Sequence, residues 1–334
     1  MRTKCLVIVA SLFVCVASSA AASAAAQPAG QNRPGQGQPA QPGQGPQRPA
    51  VPGPAGDLLK QGQQKLREGQ LDEALALYRR AAEAAPEHMQ PHLQAGIVLD
   101  LMGRYAEARQ HLAKAIELAK TPQERARAMR TMAMSYAFER NCAGAEKFEA
   151  PLYEEYLKAG DFFMAGEVAN ELARVCLEAG AFDTADAWYR RGYEAGMKEP
   201  GIAQARRDLW EFRWAHARAR LAARRGNIPE AQRYVQEAKA ALDRGTNPEQ
   251  APFYPYLTGY VAFYAGDYTT ALAELQKANQ DDPFILALIA QTYEKLGDQA
   301  RAAEYYRRVL RSTAHNPTGA YARPIARQKL EGTR

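Results

Sequence analysis

Six glycines between residues 69 and 297 each begin the same local pattern, and this repetition constrains the fold more than any other feature. In most units a residue with bulk follows two positions later, and alanine always follows five positions later and a bulky residue nine positions later. The glycines are Gly69, Gly103, Gly180, Gly226, Gly266 and Gly297. Glycine ends a helix in a left-handed conformation at little cost, and alanine lets the next helix approach closely. The pattern predicts helix hairpins that must stack, because no single pair can bury its apolar face alone.

The hairpin pattern resembles the tetratricopeptide repeat family, whose motif of about 34 residues places small and bulky residues at these positions. The unit around Gly297 is the best match, because it fills all seven signature positions of the family. They hold Leu286, Ile289, Ala290, Tyr293, Gly297, Ala302 and Tyr306. The resemblance implies an all-α fold, a right-handed superhelical solenoid of antiparallel helix hairpins.

One interval departs from the spacing of the family. Gly103 and Gly180 lie 77 residues apart, which leaves room for one irregular hairpin between two regular ones. We expect its first helix over Thr121–Glu139, a turn near Asn141 and its second helix over Gly144–Leu157. The array then comprises about seven helix pairs.

The N-terminal residues 1–26 have the composition of a secretory signal peptide. A short basic start precedes an apolar run over Cys5–Val16, and Ala24–Ala26 form a small-residue cleavage site, with Ala22–Ala24 as an alternative. The sequence predicts a cleaved signal and an exported protein, periplasmic or secreted. An uncleaved anchor is the alternative, because counting the following alanines lengthens the apolar run.

Residues 27–56 form a linker of different composition. Proline, glycine and glutamine fill 22 of its 30 positions, so we expect a disordered tether that packs no core. The helical array is predicted over residues 57–315. A C-terminal capping segment is predicted over 316–334, with a helix at Tyr321–Leu330.

The net charge of +6 suggests a polyanionic partner, but its distribution does not. Residues 57–300 carry 31 basic and 35 acidic side chains, and the segment from Arg301 onward carries 8 basic and 2 acidic ones. The excess of positive charge therefore belongs to the ends of the chain. Together with export, this argues against nucleic-acid binding.

The histidines, cysteines and other potentially reactive residues form no catalytic or metal-binding motif. His88 and His92 bracket Pro91, so they do not share one regular helix as paired metal ligands would. We expect no enzyme activity, no cofactor and no metal. Cys142 and Cys176 both survive signal cleavage, and either a disulfide between them or two unpaired thiols is compatible with the sequence.

The resemblance also implies a binding groove. Tetratricopeptide arrays line their concave face with one stripe of the first helix of each pair. Before Gly226 this stripe holds Arg213, His216, Arg220 and Arg224. Before Gly266 it holds Phe253, Tyr256, Tyr260, Phe263 and Tyr264. The helix before Gly180 adds Glu167, Asn170 and Arg174.

An arginine row beside an aromatic row predicts a groove for an extended peptide, because guanidinium groups pair with carboxylates and flat rings offer contact area at low entropic cost. The alternative is that the rings pack against neighbouring repeats and the arginines solvate their helices. Trp210 and Trp214 flank the same arginines, and we expect them to be packing residues.

These features favour a non-enzymatic exported scaffold that binds a protein or peptide partner in the cell envelope through its concave face. The alternative function is binding of a carbohydrate or peptidoglycan fragment, with sugar rings stacked on Tyr256, Tyr260 and Tyr264. Contact with a membrane is expected only if the signal stays uncleaved. The sequence does not determine the oligomeric state.

Signal cleavage predicts a defined N-terminus. Intact-mass analysis of the protein purified from cell envelopes should give a chain that begins near Gln27. A mass that corresponds to the full-length chain would contradict cleavage and favour the uncleaved anchor.

Overall fold

The computed structural model describes Val51 and residues 53–332, which form fifteen α-helices and one short 3₁₀ turn at Pro248–Gln250. The helices are α1 (Gly53–Arg67), α2 (Leu71–Ala84), α3 (Met89–Met102), α4 (Tyr105–Glu117), α5 (Pro122–Phe138), α6 (Cys142–Lys158), α7 (Phe162–Ala179), α8 (Phe182–Met197), α9 (Gln204–Arg224), α10 (Ile228–Leu242), α11 (Phe253–Ala265), α12 (Tyr268–Leu275), α13 (Pro283–Lys295), α14 (Gln299–Arg311) and α15 (Pro317–Glu331). This part of the chain contains no strand, so the all-α prediction is confirmed. None of its helices is long and apolar enough to cross a membrane.

The predicted signal peptide lies outside the described residues, as does most of the predicted linker. The first helix begins at Gly53, four residues before the predicted start of the array at Asp57. Val51 and Ala55 are buried against Ala85, which explains the earlier start. The end of the predicted linker is thus part of the folded array.

Helices α1 to α14 form seven successive pairs, in which each helix packs against the next. The six repeated glycines all follow the first helix of a pair, with φ between +76° and +86°. This left-handed conformation is costly for other residues and explains why glycine recurs there. The alanines five positions later are 0–2% exposed. They are Ala74, Ala108, Ala185, Ala231, Ala271 and Ala302.

The irregular hairpin consists of α5 and α6, and both helices start and end within two residues of the predicted positions. Its turn has no glycine. Arg140 takes the left-handed conformation instead, with φ +55°, and its guanidinium lies 5.2 Å from the Tyr321 ring centroid of α15. Cys142 and Cys176 form a disulfide, which ties the start of α6 to the end of α7.

Trp210 fills a space that glycines leave open between α7, α8 and α9. Its side chain is fully buried, and a Cβ atom added at Gly196 would lie 2.1 Å from the indole ring. Gly166 is in similarly close contact with the ring. Trp214 stacks on Tyr193 at a centroid distance of 5.6 Å. Both tryptophans are packing residues, in agreement with the sequence prediction.

Helix α15 does more than cap the end of the array. It packs on α13 and α14 and also reaches back to α5 and α7. Arg323 Nε and Arg327 Nη2 both donate to the carbonyl oxygen of Leu101, at 2.7 and 2.8 Å. Leu101 lies in the last turn of α3, where unpaired carbonyl groups attract positive charge. Hydrophobic periodicity predicted this helix but could not indicate where it docks.

Candidate functional site

The first helices of the pairs form the face on which α15 lies, and we call this the inner face. Helices α5, α7 and α13 all contact α15 there. Next to α15 on the same face, α7, α9 and α11 bring together the predicted arginine and aromatic rows. This face therefore contains the candidate site.

The arginine row is partly neutralised by the carboxylates of Glu178 and Glu167. Glu178 is buried and pairs with both Arg174 Nε, at 2.9 Å, and Arg224 Nη1, at 2.8 Å. Arg213 pairs with Glu167. The pairs of Arg213 and Arg224 link α9 to α7, so two of the predicted groove arginines also hold the two helices together.

The aromatic row is not the open trough that the sequence predicted. Tyr256 and Tyr260 are 5% and 0% exposed, and both rings pack against Phe284 of α13. Phe263 and Tyr264 are half-buried against each other. The rings fill the space between α11 and α13, as the packing interpretation expected. No open face remains on Tyr256 and Tyr260 for a sugar to stack on.

Phe253, the first residue of α11, differs from the other members of the aromatic row. Its side chain is 48% exposed and borders a cavity of about 270 Å³ between α7 and α9. We call this the arginine cavity. It is lined by Glu167, Asn170, Arg174, Tyr189, Phe212, Arg213, His216, Arg220, Gln250 and Phe253. The structure thus brings seven predicted groove residues together, Glu167 and Asn170 among them, and leaves Arg224, Tyr256, Tyr260, Phe263 and Tyr264 outside the cavity lining.

Arg220 is the most unusual residue of this cavity. It is 6% exposed, and it donates hydrogen bonds to two neutral groups, the His216 carbonyl oxygen at 3.4 Å and the Tyr189 hydroxyl at 3.0 Å. Its Nη1 atom is buried without a hydrogen-bond partner among the described residues. Arg174 Nη2 and His216 Nε2 are in the same condition. Buried polar groups usually have partners, so this concentration of unsatisfied atoms marks the cavity.

His216 is neutral at physiological pH. Burial lowers its pKa well below the usual 6.5, and the positive charges of Arg220 and Arg174 lower it further. The ring is 9% exposed and lies 5.5 Å from the Tyr256 ring, measured between centroids. A neutral imidazole lets the guanidinium groups approach without adding a third positive charge.

A second cavity, of about 590 Å³, adjoins the arginine cavity along α7. Both cavities are lined by Glu167 and Asn170. Its opposite wall includes His315, whose Nε2 atom lies 2.8 Å from Oδ2 of the buried Asp100. The C-terminal segment therefore forms part of the inner-face site.

Sequence reasoning missed four residues of the site, although a signal for one of them was present: Glu178, Tyr189, Phe212 and Gln250. Glu178 lies on the same groove-facing stripe as Arg174, four residues later, and the prediction of an arginine row did not take it into account. Tyr189 belongs to α8, a second helix, and the family pattern assigns no groove role to that helix. Its contact with Arg220 depends on the packing of α8 against α9.

Comparisons with known proteins agree with the helical repeat. Models of the tetratricopeptide repeat family match residues 65–133, 214–237 and 256–317. No curated protein sequence matches the chain. The three matched segments include both ends of the array, and they confirm the resemblance seen in the sequence.

Solved structures with a similar arrangement have low sequence identity to the chain. A tetratricopeptide repeat protein from Parabacteroides merdae is 14% identical, with a TM-score of 0.46 over 83% of this chain and 97% of that one. The apo form of RapI is 13% identical, with a TM-score of 0.49 over 83% and 99%. The Rap conjugation gene regulator of plasmid pLS20, in complex with the Phr* peptide, is 14% identical, with a TM-score of 0.45 over 84% and 75%.

The lowered pKa of His216 predicts a pH-dependent stability. The unfolded chain binds a proton on this residue near pH 6.5, whereas the folded chain binds it only at lower pH. The free energy of unfolding should therefore fall as the pH drops below 6.5, by up to about 1.4 kcal/mol per pH unit from this residue. Urea denaturation between pH 5 and 8 measures the effect.

The variant His216→Gln provides the control, because burial also lowers the pKa values of His92 and His111. The variant should lose less stability on acidification than the wild type. Equal losses in the two proteins would show that His216 titrates normally.

Proposed function

We propose a protein-binding role for this chain, which is a tetratricopeptide repeat protein. It acts as a non-enzymatic scaffold, and its partner binds on the inner face at the arginine cavity. One observation carries the proposal, namely that buried hydrogen-bonding atoms of Arg174, His216 and Arg220 have no partner among the described residues. A partner that enters the cavity would satisfy them.

The lining of the cavity favours binding over catalysis. It contains no serine, threonine or cysteine, so no side chain of these types stands beside His216 as a nucleophile. Its polar groups are amide, guanidinium, carboxylate, imidazole and phenol. Such groups recognise a ligand by hydrogen bonds and charge.

We place the scaffold outside the cytoplasm, in the periplasm or secreted, where its partner would belong to the cell envelope. The signal-like composition of residues 1–26 supports this. The disulfide between Cys142 and Cys176 supports it as well, because such bonds persist in oxidising compartments.

Partner capture from cell-envelope extract tests the role of the inner face. The variant Phe253→Ala removes an exposed ring from the rim of the arginine cavity. We expect it to lose most of the captured partner, because exposed aromatic side chains beside a pocket often dominate binding energy.

Leu296→Ala is the matched control, since Leu296 is 46% exposed and lies in the turn between α13 and α14. It should capture as much partner as the wild type. Equal capture by Phe253→Ala, with an unchanged circular dichroism spectrum, would rule out this binding site.

A further inference from the structure

We propose that the arginine cavity binds a carboxylate, contributed by an acidic side chain of an extended peptide segment. The carboxylate sits against the guanidinium groups of Arg220 and Arg174. This inference rests on the proposed function and names the chemistry of the partner.

The first argument is the uncompensated charge of Arg220. Among the described residues it forms no ion pair, whereas Arg174 and Arg224 share Glu178, and Arg213 has Glu167. A buried charge without a counterion is strongly unfavourable. An anion in the adjoining cavity would remove this cost.

A comparison with Arg323 shows that a buried arginine need not be unsatisfied. Arg323 also lies in the protein interior without a carboxylate partner, but it donates to three backbone carbonyl oxygens, those of Leu101, Leu310 and Ser312. Arg220 keeps Nη1 free of any partner among the described residues. The difference indicates that Arg323 is structural and that Arg220 is prepared for a ligand.

The charge balance of the cavity favours an anion. Arg220 contributes one unpaired positive charge, and the Glu178 carboxylate is shared between Arg174 and Arg224. Glu167 lines the cavity as well but is paired with Arg213, so the cavity keeps an excess of positive charge. A single carboxylate matches the fork of a guanidinium and its charge.

Size favours a side chain over a complete small molecule. The cavity of about 270 Å³ is smaller than pockets that enclose drug-sized ligands, which start at about 300 Å³. The second cavity shares Glu167 and Asn170 with it and offers about 590 Å³ for neighbouring residues. An extended peptide can place one acidic side chain in the first cavity and continue into the second.

Calorimetric titration with designed peptides tests the inference. The probe is an acetylated and amidated peptide of alternating glutamate and alanine, so that all its carboxylates are on side chains. The control peptide has glutamine in place of glutamate. We expect the acidic peptide to bind at least tenfold more tightly, and equal binding of the two peptides would overturn the proposal. Inorganic phosphate is the third probe. If phosphate displaces the acidic peptide at a concentration below that of the peptide itself, carboxylate recognition is refuted.

Variants of α9 separate the roles of its arginines. Arg220→Met should weaken binding of the acidic peptide at least tenfold, and Arg220→Lys should weaken it less, because lysine keeps the charge but lacks the fork. Arg225→Met is the matched control, since Arg225 pairs with the exposed Asp183 outside the cavity. It should bind as the wild type does. Equal affinity of all four proteins would overturn the proposal.

Thermal unfolding without ligand gives a second readout. Removing an uncompensated buried charge should leave the melting temperature of Arg220→Met unchanged or raise it. A lower melting temperature or a failure to fold would make Arg220 structural and contradict the inference.

If the acidic peptide fails to bind while Phe253→Ala still abolishes partner capture, only the carboxylate assignment is wrong. Failure of both tests would reject the binding site itself.

Discussion

Close contact between helices through small side chains is the constraint on which the rest of this structure depends. The alanine five positions after each turn glycine is buried, which lets the second helix of a pair lie directly against the first. Repeating this contact along the chain aligns the first helices on one face. The arginine cavity exists because α7 and α9 are neighbours on that face, and α8, which separates them in sequence, packs behind them.

The C-terminal helix α15 packs against the last helix pair and also against α5 and α7 in the middle of the array. The arginine side chains of α15 reach the last turn of α3, and His315 reaches the buried Asp100. Residues of α5 and of the C-terminal segment therefore border one inner-face site. Local propensity predicts that α15 is helical, but its docking depends on long-range hydrogen bonds that no periodicity encodes.

The sequence predicted the hairpins closely, because glycine conformation and alanine packing are local properties. The groove was only partly predictable. Helical periodicity predicts which face of a helix a residue lies on, and it correctly placed Arg174, Arg213 and Arg220 together. It does not state how deep a residue lies, and this is why Tyr256 and Tyr260 are buried packing residues instead of a binding platform. The carboxylate of Glu178 neutralises part of the arginine row. This effect depends on tertiary packing, which a pattern of single residues does not show.

Arg220 departs from the rule that buried charged groups have partners, and such departures are expected at functional sites. A crystal structure of the protein soaked in sodium acetate, free of other anions that could bind the cavity, tests this account most directly. It predicts an acetate carboxylate within hydrogen-bond distance of Arg220 Nη1. A cavity that holds water alone, or an Arg220 side chain paired with a carboxylate of the protein itself, would contradict it.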